Sequence, residues 1–214
     1  MTMPSLSLLD TLVAELEPVR PVRALHGIML LFAASLTVCA VTLSRYSLRP
    51  DLIALTPDPM VVLRGGMLLI LGTAAAQAAI RAARPAVGQA YNGWLWALAA
   101  ALLFPVGALA MTLQSGGMPE GALYPEIGKY CLGVGGAGAL AIGAAFTLWL
   151  RQGAVTAPER AGWLTGVAAG SFGTFAFSLH CPVTNIWYIG FWYALTVGVA
   201  ALIGRILVPR FIRW

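Results

Sequence analysis

The stretch SFGTFAFSLHCPVTNIWYIGFW, residues 171 to 192, sets His180, Cys181 and Pro182 in a brief polar gap between two apolar runs. It brings a thiol, an imidazole and a helix breaker together. A second cysteine, Cys131, follows the polar loop SGGMPEGALYPEIGKY, and the third, Cys39, lies between Val38 and Ala40 inside an apolar run. Cysteine is most often a small buried hydrophobe, and Cys39 reads that way. Cys131 and Cys181 stand at the ends of apolar runs beside polar sequence, where water and solutes are expected to reach a sulfur. No Cys-x-x-Cys occurs, which argues against both a zinc motif and a thiol oxidoreductase. What remains is a long-range pair able either to close a disulfide or to share a soft metal ion. For the latter, His180, Met118, Met111 and Met60 are candidate extra ligands, since thiolate, imidazole and thioether suit soft cations. No constitutive cofactor is expected.

These side chains have to be held by something, and composition says what. Of 214 residues, 59% are hydrophobic and 10% charged, with a mean hydropathy of +0.83; an ordinary soluble domain carries about 25% charged residues. Six apolar runs, at about 25–44, 61–80, 93–113, 130–150, 161–179 and 187–207, each approach the ~20 residues that cross a bilayer core as a helix. Runs this long and unbroken are not barrel strands. The expected fold is therefore all-α, a bundle of six transmembrane helices (25–214) behind a short cytoplasmic segment (1–24). Residues 1–20 hold acids and prolines where a signal peptide needs an apolar stretch, so the first run is expected to be a retained helix. Glycines such as Gly133, Gly135, Gly136, Gly138, Gly166, Gly170 and Gly173 let helix backbones approach closely.

Placing the N-terminus in the cytoplasm puts Arg20, Arg23, Arg81, Arg84, Arg151, Arg160, Arg205, Arg210 and Arg213 on that side, nine of the 13 Lys and Arg. That bias puts both termini inside, and it reads the net charge of +5 as topology and contact with the lipid bilayer rather than with nucleic acid. All three cysteines then fall in the outer half of the membrane. Arg81, Arg84, Arg151 and Arg160 form a basic inner rim able to meet an acidic patch on a partner. In the N-terminal segment, Leu8, Leu9, Leu12, Val13 and Leu16 fall at helical spacing, with Asp10, Glu15 and Glu17 on the other side, until Pro18 and Pro21 stop the helix. An acidic polar face is repelled by an anionic inner leaflet, so the apolar stripe is expected to bind a protein.

Two other classes compete with a sensor. A small transporter would bury ionisable residues mid-span, and Gln77 is the clearest polar residue there, with His26 and Arg64 nearer the ends. A thiol-dependent membrane enzyme would need a clustered acid, base or nucleophile set, which the sequence lacks. The chain is not expected to be an enzyme.

The order of elements, with EPVRP before the first run, RPDL after it, LRQGAVTAPERAGWLTGVAAGSFG from Leu150, SLHCP at 178–182 and a closing GRILVPRFIRW, resembles the negative-regulator-of-sigma-F (NrsF) family of membrane anti-sigma factors. The resemblance implies a bacterial inner-membrane protein that holds an extracytoplasmic-function sigma factor at the cytoplasmic face. It further implies release when the outward cysteines, Cys131 and Cys181, meet heavy-metal or oxidative stress. Cys39 matches no motif of the family.

Overall fold

The computed structural model describes residues 23–83 and 93–212, which are helical throughout apart from short connections. The elements are α1 (Ala24–Arg45), α2 (Pro50–Ile53), α3 (Pro59–Ala82), α4 (Gly93–Gln114), α5 (Pro125–Tyr130), α6 (Gly136–Leu150), α7 (Pro158–Ser178), α8 (Ile186–Tyr188) and α9 (Ala194–Ile212). Two five-residue π-helical segments, Cys131–Gly135 and Ile189–Tyr193, join α5 to α6 and α8 to α9, making continuous helices of Pro125–Leu150 and Ile186–Ile212. Local chemistry sets the starts. Proline opens α2, α3, α5 and α7 at a position where a missing N–H costs nothing. Asp58 caps α3 by accepting the Met60 amide at 2.7 Å, and Asn185 caps α8 by accepting that of Trp187 at 2.8 Å.

Each of the six apolar runs is a helix. Among the described residues, however, four helices are long and apolar enough to cross a membrane: Ala24–Arg45, Pro59–Ala82, Pro125–Leu150 and Ile186–Ile212. Of α4, the side chains are described over Ala101–Gln114, and that stretch is apolar; α7 falls outside the set because glycine, serine and threonine dilute its hydropathy. The reason is its position. Helices α1, α3, α6 and α9 pack around α7, and Thr165, Ser171, Thr174 and Ser178 along it are all buried, so its surface is built for helix contact rather than for lipid.

Glycine makes that contact possible. A Cβ on Gly166 would lie 2.3 Å from the Ala200 carbonyl oxygen, and one on Gly173 would lie 2.4 Å from that of Gly135. The first approach seats α7 on α9 and the second seats it on the Cys131–Leu150 helix. The core forms two clusters. One, around Ala79, Ile142, Phe146, Leu150 and Ala161, fills the end where α3, α6 and α9 finish and α7 begins. The other holds Leu68, Leu71, Cys131, Phe177, Cys181, Tyr188, Ile189, Tyr193 and Val197 at the opposite end. There the connections meet, the Arg49 amide donating to Leu179 O at 3.2 Å and Asn185 Nδ2 to Ala122 O at 3.2 Å.

A side chain at Gly166 has backbone on the far side and nowhere to go. Gly166→Val should destabilise the bundle by about 1–3 kcal/mol, read as a lower melting temperature in detergent. Gly136→Ala, at a site with nothing within 4 Å, should melt no lower than the parent.

Candidate functional site

Cys131 is the first residue of its π-helical segment, and Cys181 follows the last turn of α7, where its amide donates to Phe177 O at 3.1 Å. The two are brought together in the second core cluster, both as free thiols and both without solvent exposure. This corrects the expectation of sulfurs open to solutes. The polar sequence beside each cysteine forms the rim, while the residues themselves turn inward under Tyr188, Ile189 and Tyr193. Cys131 Sγ lies 3.9 Å from Thr196 Oγ1. The phenols of Tyr188 and Tyr193, whose rings meet edge to face at 6.0 Å, lie within electrostatic range of both sulfurs.

The residue that organises this cluster is one the sequence pointed away from. Arg64, placed near a helix end by its position in an apolar run, is fully buried. Its Nη2 donates to Ser178 O at 2.9 Å and to Cys181 O at 2.8 Å, its Nη1 donates to Val183 O, and its Cζ stands 5.7 Å from the centre of the Tyr193 ring. Among the described residues, Arg64 Nε and the Tyr188 and Tyr193 hydroxyls are buried without a hydrogen-bond partner. The signal in the sequence was a lone arginine four residues past Met60 with no acid at helical spacing. Nothing there says which carbonyls it will find.

Arg49 approaches the same loop from outside. Its Nη1 donates to Cys181 O at 2.6 Å while its Nε donates to Asp51 at 2.8 Å, so the Cys181 carbonyl serves two arginines. The Arg49 hydrogen bond is the main cause holding the Asp51 carboxyl down to about 2, helped by the Asp58 amide and opposed by partial desolvation.

The candidate soft-metal shell is not assembled. His180 donates from Nδ1 to Ser47 O at 2.8 Å and packs on the Tyr46 ring at 5.1 Å, so its imidazole is committed to the connection after α1. Met118 is exposed in the 115–124 connection and Met111 is exposed on α4, while Met60 packs against the cysteine cluster. Among the described residues no group of three His, Cys, Asp or Glu is placed to hold a metal ion. The arrangement can do thiol chemistry: two sulfurs in one dry cluster can join to each other, or take up a soft ion as a pair. A cleft of about 680 Å³ borders the cluster, lined mostly by apolar residues of α3, α4, α7 and α9, with Arg160 among them, and walled at one point by Ile189 and Tyr193.

Cys39 is half-buried on α1 outside this cluster. At the far end of the bundle Arg81, Arg151 and Arg160 are exposed, and Glu159 pairs with Arg205 at 3.8 Å. Arg84 lies outside the described residues, as do Leu8, Leu9, Leu12, Val13 and Leu16.

Set beside known proteins, the chain matches the family model described as "Negative regulator of sigma F" over residues 12–214. A curated relative, the probable anti-sigma-F factor NrsF of Azospira oryzae, is 38% identical over 61 residues, which is 28% of this chain and 29% of that protein. No solved structure matches.

The Asp51 carboxyl gives a direct check on the outer loop. Its folded value is depressed, so its contribution to stability is complete above the ordinary value of ~3.9 and disappears as pH falls from there through about 2. NMR titration of labelled Asp51 should show a midpoint near 2 in the parent and near the ordinary value in Arg49→Gln.

Proposed function

The chain belongs to the negative-regulator-of-sigma-F family, and from that premise we propose that it holds an extracytoplasmic-function sigma factor at the cytoplasmic face of a bacterial inner membrane. Chemical capture of Cys131 and Cys181 releases that partner. The six long helices cross the bilayer with both termini inside, α4 and the wrapped α7 crossing as members of the bundle. The cysteine end then faces the oxidising side and the exposed arginines face the cytoplasm. The observation that carries this reading is the meeting of two free thiols, 50 positions apart in the chain, in one buried cluster.

A pair is suited to signalling in a way one thiol is not. Moving a two-state bundle from 1:99 to 99:1 takes about 5.5 kcal/mol of preference, within reach of a bond or an ion held between two elements. With a two-electron oxidant, both thiols lose their protons and one electron each as the S–S bond forms. With a soft cation, both sulfurs bind as thiolates and release two protons. Either event ties the start of the Cys131–Leu150 helix to the end of α7, whose other ends are joined by residues 151–157.

Residues 1–24 take the partner, the stripe of Leu8, Leu9, Leu12, Val13 and Leu16 lying in an apolar groove of the sigma factor. The rim of Arg81, Arg84, Arg151 and Arg160 speeds the encounter. Buried Arg64 does not favour a transporter instead. Its two terminal nitrogens donate to three main-chain carbonyls, and among the described residues no ion pair joins it to a carboxylate that could relay a proton or bind a cation.

Cys131→Ser or Cys181→Ser alone should leave the partner on the membrane during oxidant or cadmium challenge, whereas Cys39→Ser should release it as the parent does. Sedimentation of membranes followed by partner quantification reads this, and normal release in the Cys131→Ser, Cys181→Ser double variant would refute the site. Leu12→Ala with Leu16→Ala should weaken partner binding without any challenge, by about 2 kcal/mol or more for each anchor. Unchanged co-purification of the partner would remove the segment from the interface.

A further inference from the structure

Resting on the reading of Cys131 and Cys181 as the signal-receiving pair, we propose that Arg64 is the positioning residue that locks the Cys181-bearing segment to helix α3, so that a bond made at the cysteines moves α3 as well. The argument begins with what the guanidinium holds. The carbonyls of Ser178, Cys181 and Val183 belong to the end of α7 and the turn after it, where a helix leaves carbonyls without partners. Pro182 has no N–H to help satisfy them. Arg64 reaches across from α3 and donates to all three, capping α7 with a positive charge at its negative end.

This grip is not exchangeable for solvent. Arg49 also bonds the Cys181 carbonyl, but it is paired with Asp51 and not fully buried, so its charge stays matched when that bond breaks. Arg64 is fully buried, and releasing its carbonyls would strand a charge in an apolar cluster. When Cys181 is drawn to Cys131, the carbonyl of the same residue takes the guanidinium with it.

Helix α3 is the element able to carry such a displacement. It runs 24 residues from the Asp58 cap with no proline or π turn inside, a rod of about 36 Å at 1.5 Å per residue. The helices that contain Cys131 and Tyr193 are interrupted by π-helical segments at this level, where a shift can be absorbed locally. At its far end α3 leads into Ala83, whose carbonyl would lie 3.0 Å from a Cβ placed on Gly153. The rod thus ends against the 151–157 connection between α6 and α7.

The test uses full-length Cys39→Ser protein in membranes with its sigma factor bound, alone and with Arg64→Met or Arg64→Gln. The probe is diamide, whose N=N bond is reduced to the hydrazine by the two electrons and two protons that the thiols give up as they join. Two quantities are read: the fraction of Cys131–Cys181 disulfide, by mass after alkylation, and the fraction of partner left on the membrane. Both Arg64 variants should form the disulfide yet release about 10-fold less partner per disulfide formed than the parent, the scale of a typical coupling between sites. Release per disulfide equal to that of the parent would overturn the lock. A parent that forms the disulfide and keeps its partner would instead sink the signalling role of the cysteines. Hydrogen exchange on the parent decides the lock in that case, or if the variants do not accumulate. Oxidation should change protection in residues 61–68 of α3 together with residues 178–183, and a change confined to 131–135 and 178–183 would overturn it.

Discussion

A guanidinium with no water around it has to find oxygens, and Arg64 finds three carbonyls of a single segment. Much of the cysteine end follows from that. The end of α7 needs an acceptor-satisfying group, so residues 178–183 fold back toward α3 instead of continuing outward. Cys181 is thereby turned into the cluster, where the π-helical start at Cys131 and the rings of Tyr188 and Tyr193 close over it. Arg49, His180 and Asn185 then fasten the same segment to the neighbouring connections from the wet side. The buried charge is costly in itself, and it is tolerated because every alternative leaves a charge or several carbonyls unpaired. That makes the geometry of the thiol site sharply defined, which a site expected to respond to sulfur chemistry requires.

How far the sequence could be read depends on which physical signal each feature leaves. Apolar runs mark helices directly, and all six runs are helices to within a few residues. Counting membrane crossings by hydropathy is a different matter, because α7 is built of Gly, Ser and Thr and meets helices on nearly every side. Its composition reports its neighbours, which lie far off in the chain. The cysteine pair was legible because two thiols beside polar loops are uncommon in such a chain, but their burial was not, since a one-dimensional string shows only what is adjacent. Arg64 shows this most plainly: read along the chain it is a charge near a helix end, and its meaning comes from carbonyls more than a hundred positions away. The tyrosines gave no signal at all, being ordinary aromatic residues in an apolar run. Phe146 stacked on Trp149 and Gly27 against that indole belong to the same class of fact.

Two chemistries meet in one place. The thiols are close to a positive charge and to two buried phenols, and the sulfurs are the groups those hydroxyls face. A cluster rich in donors and poor in acceptors gains from any change that makes a sulfur a better acceptor.

The glycine face of α7 bears on how the chain is made. A helix carrying buried Thr165, Ser171, Thr174 and Ser178 gains little from an apolar medium by itself and much from its neighbours. Its close seats are offered by Gly135 on the helix made before it and by Ala200 on the helix made after it. In the order of synthesis the seat on Gly135 exists before α7 and the seat on Ala200 only after it, so α7 can complete its packing only once α9 has been made.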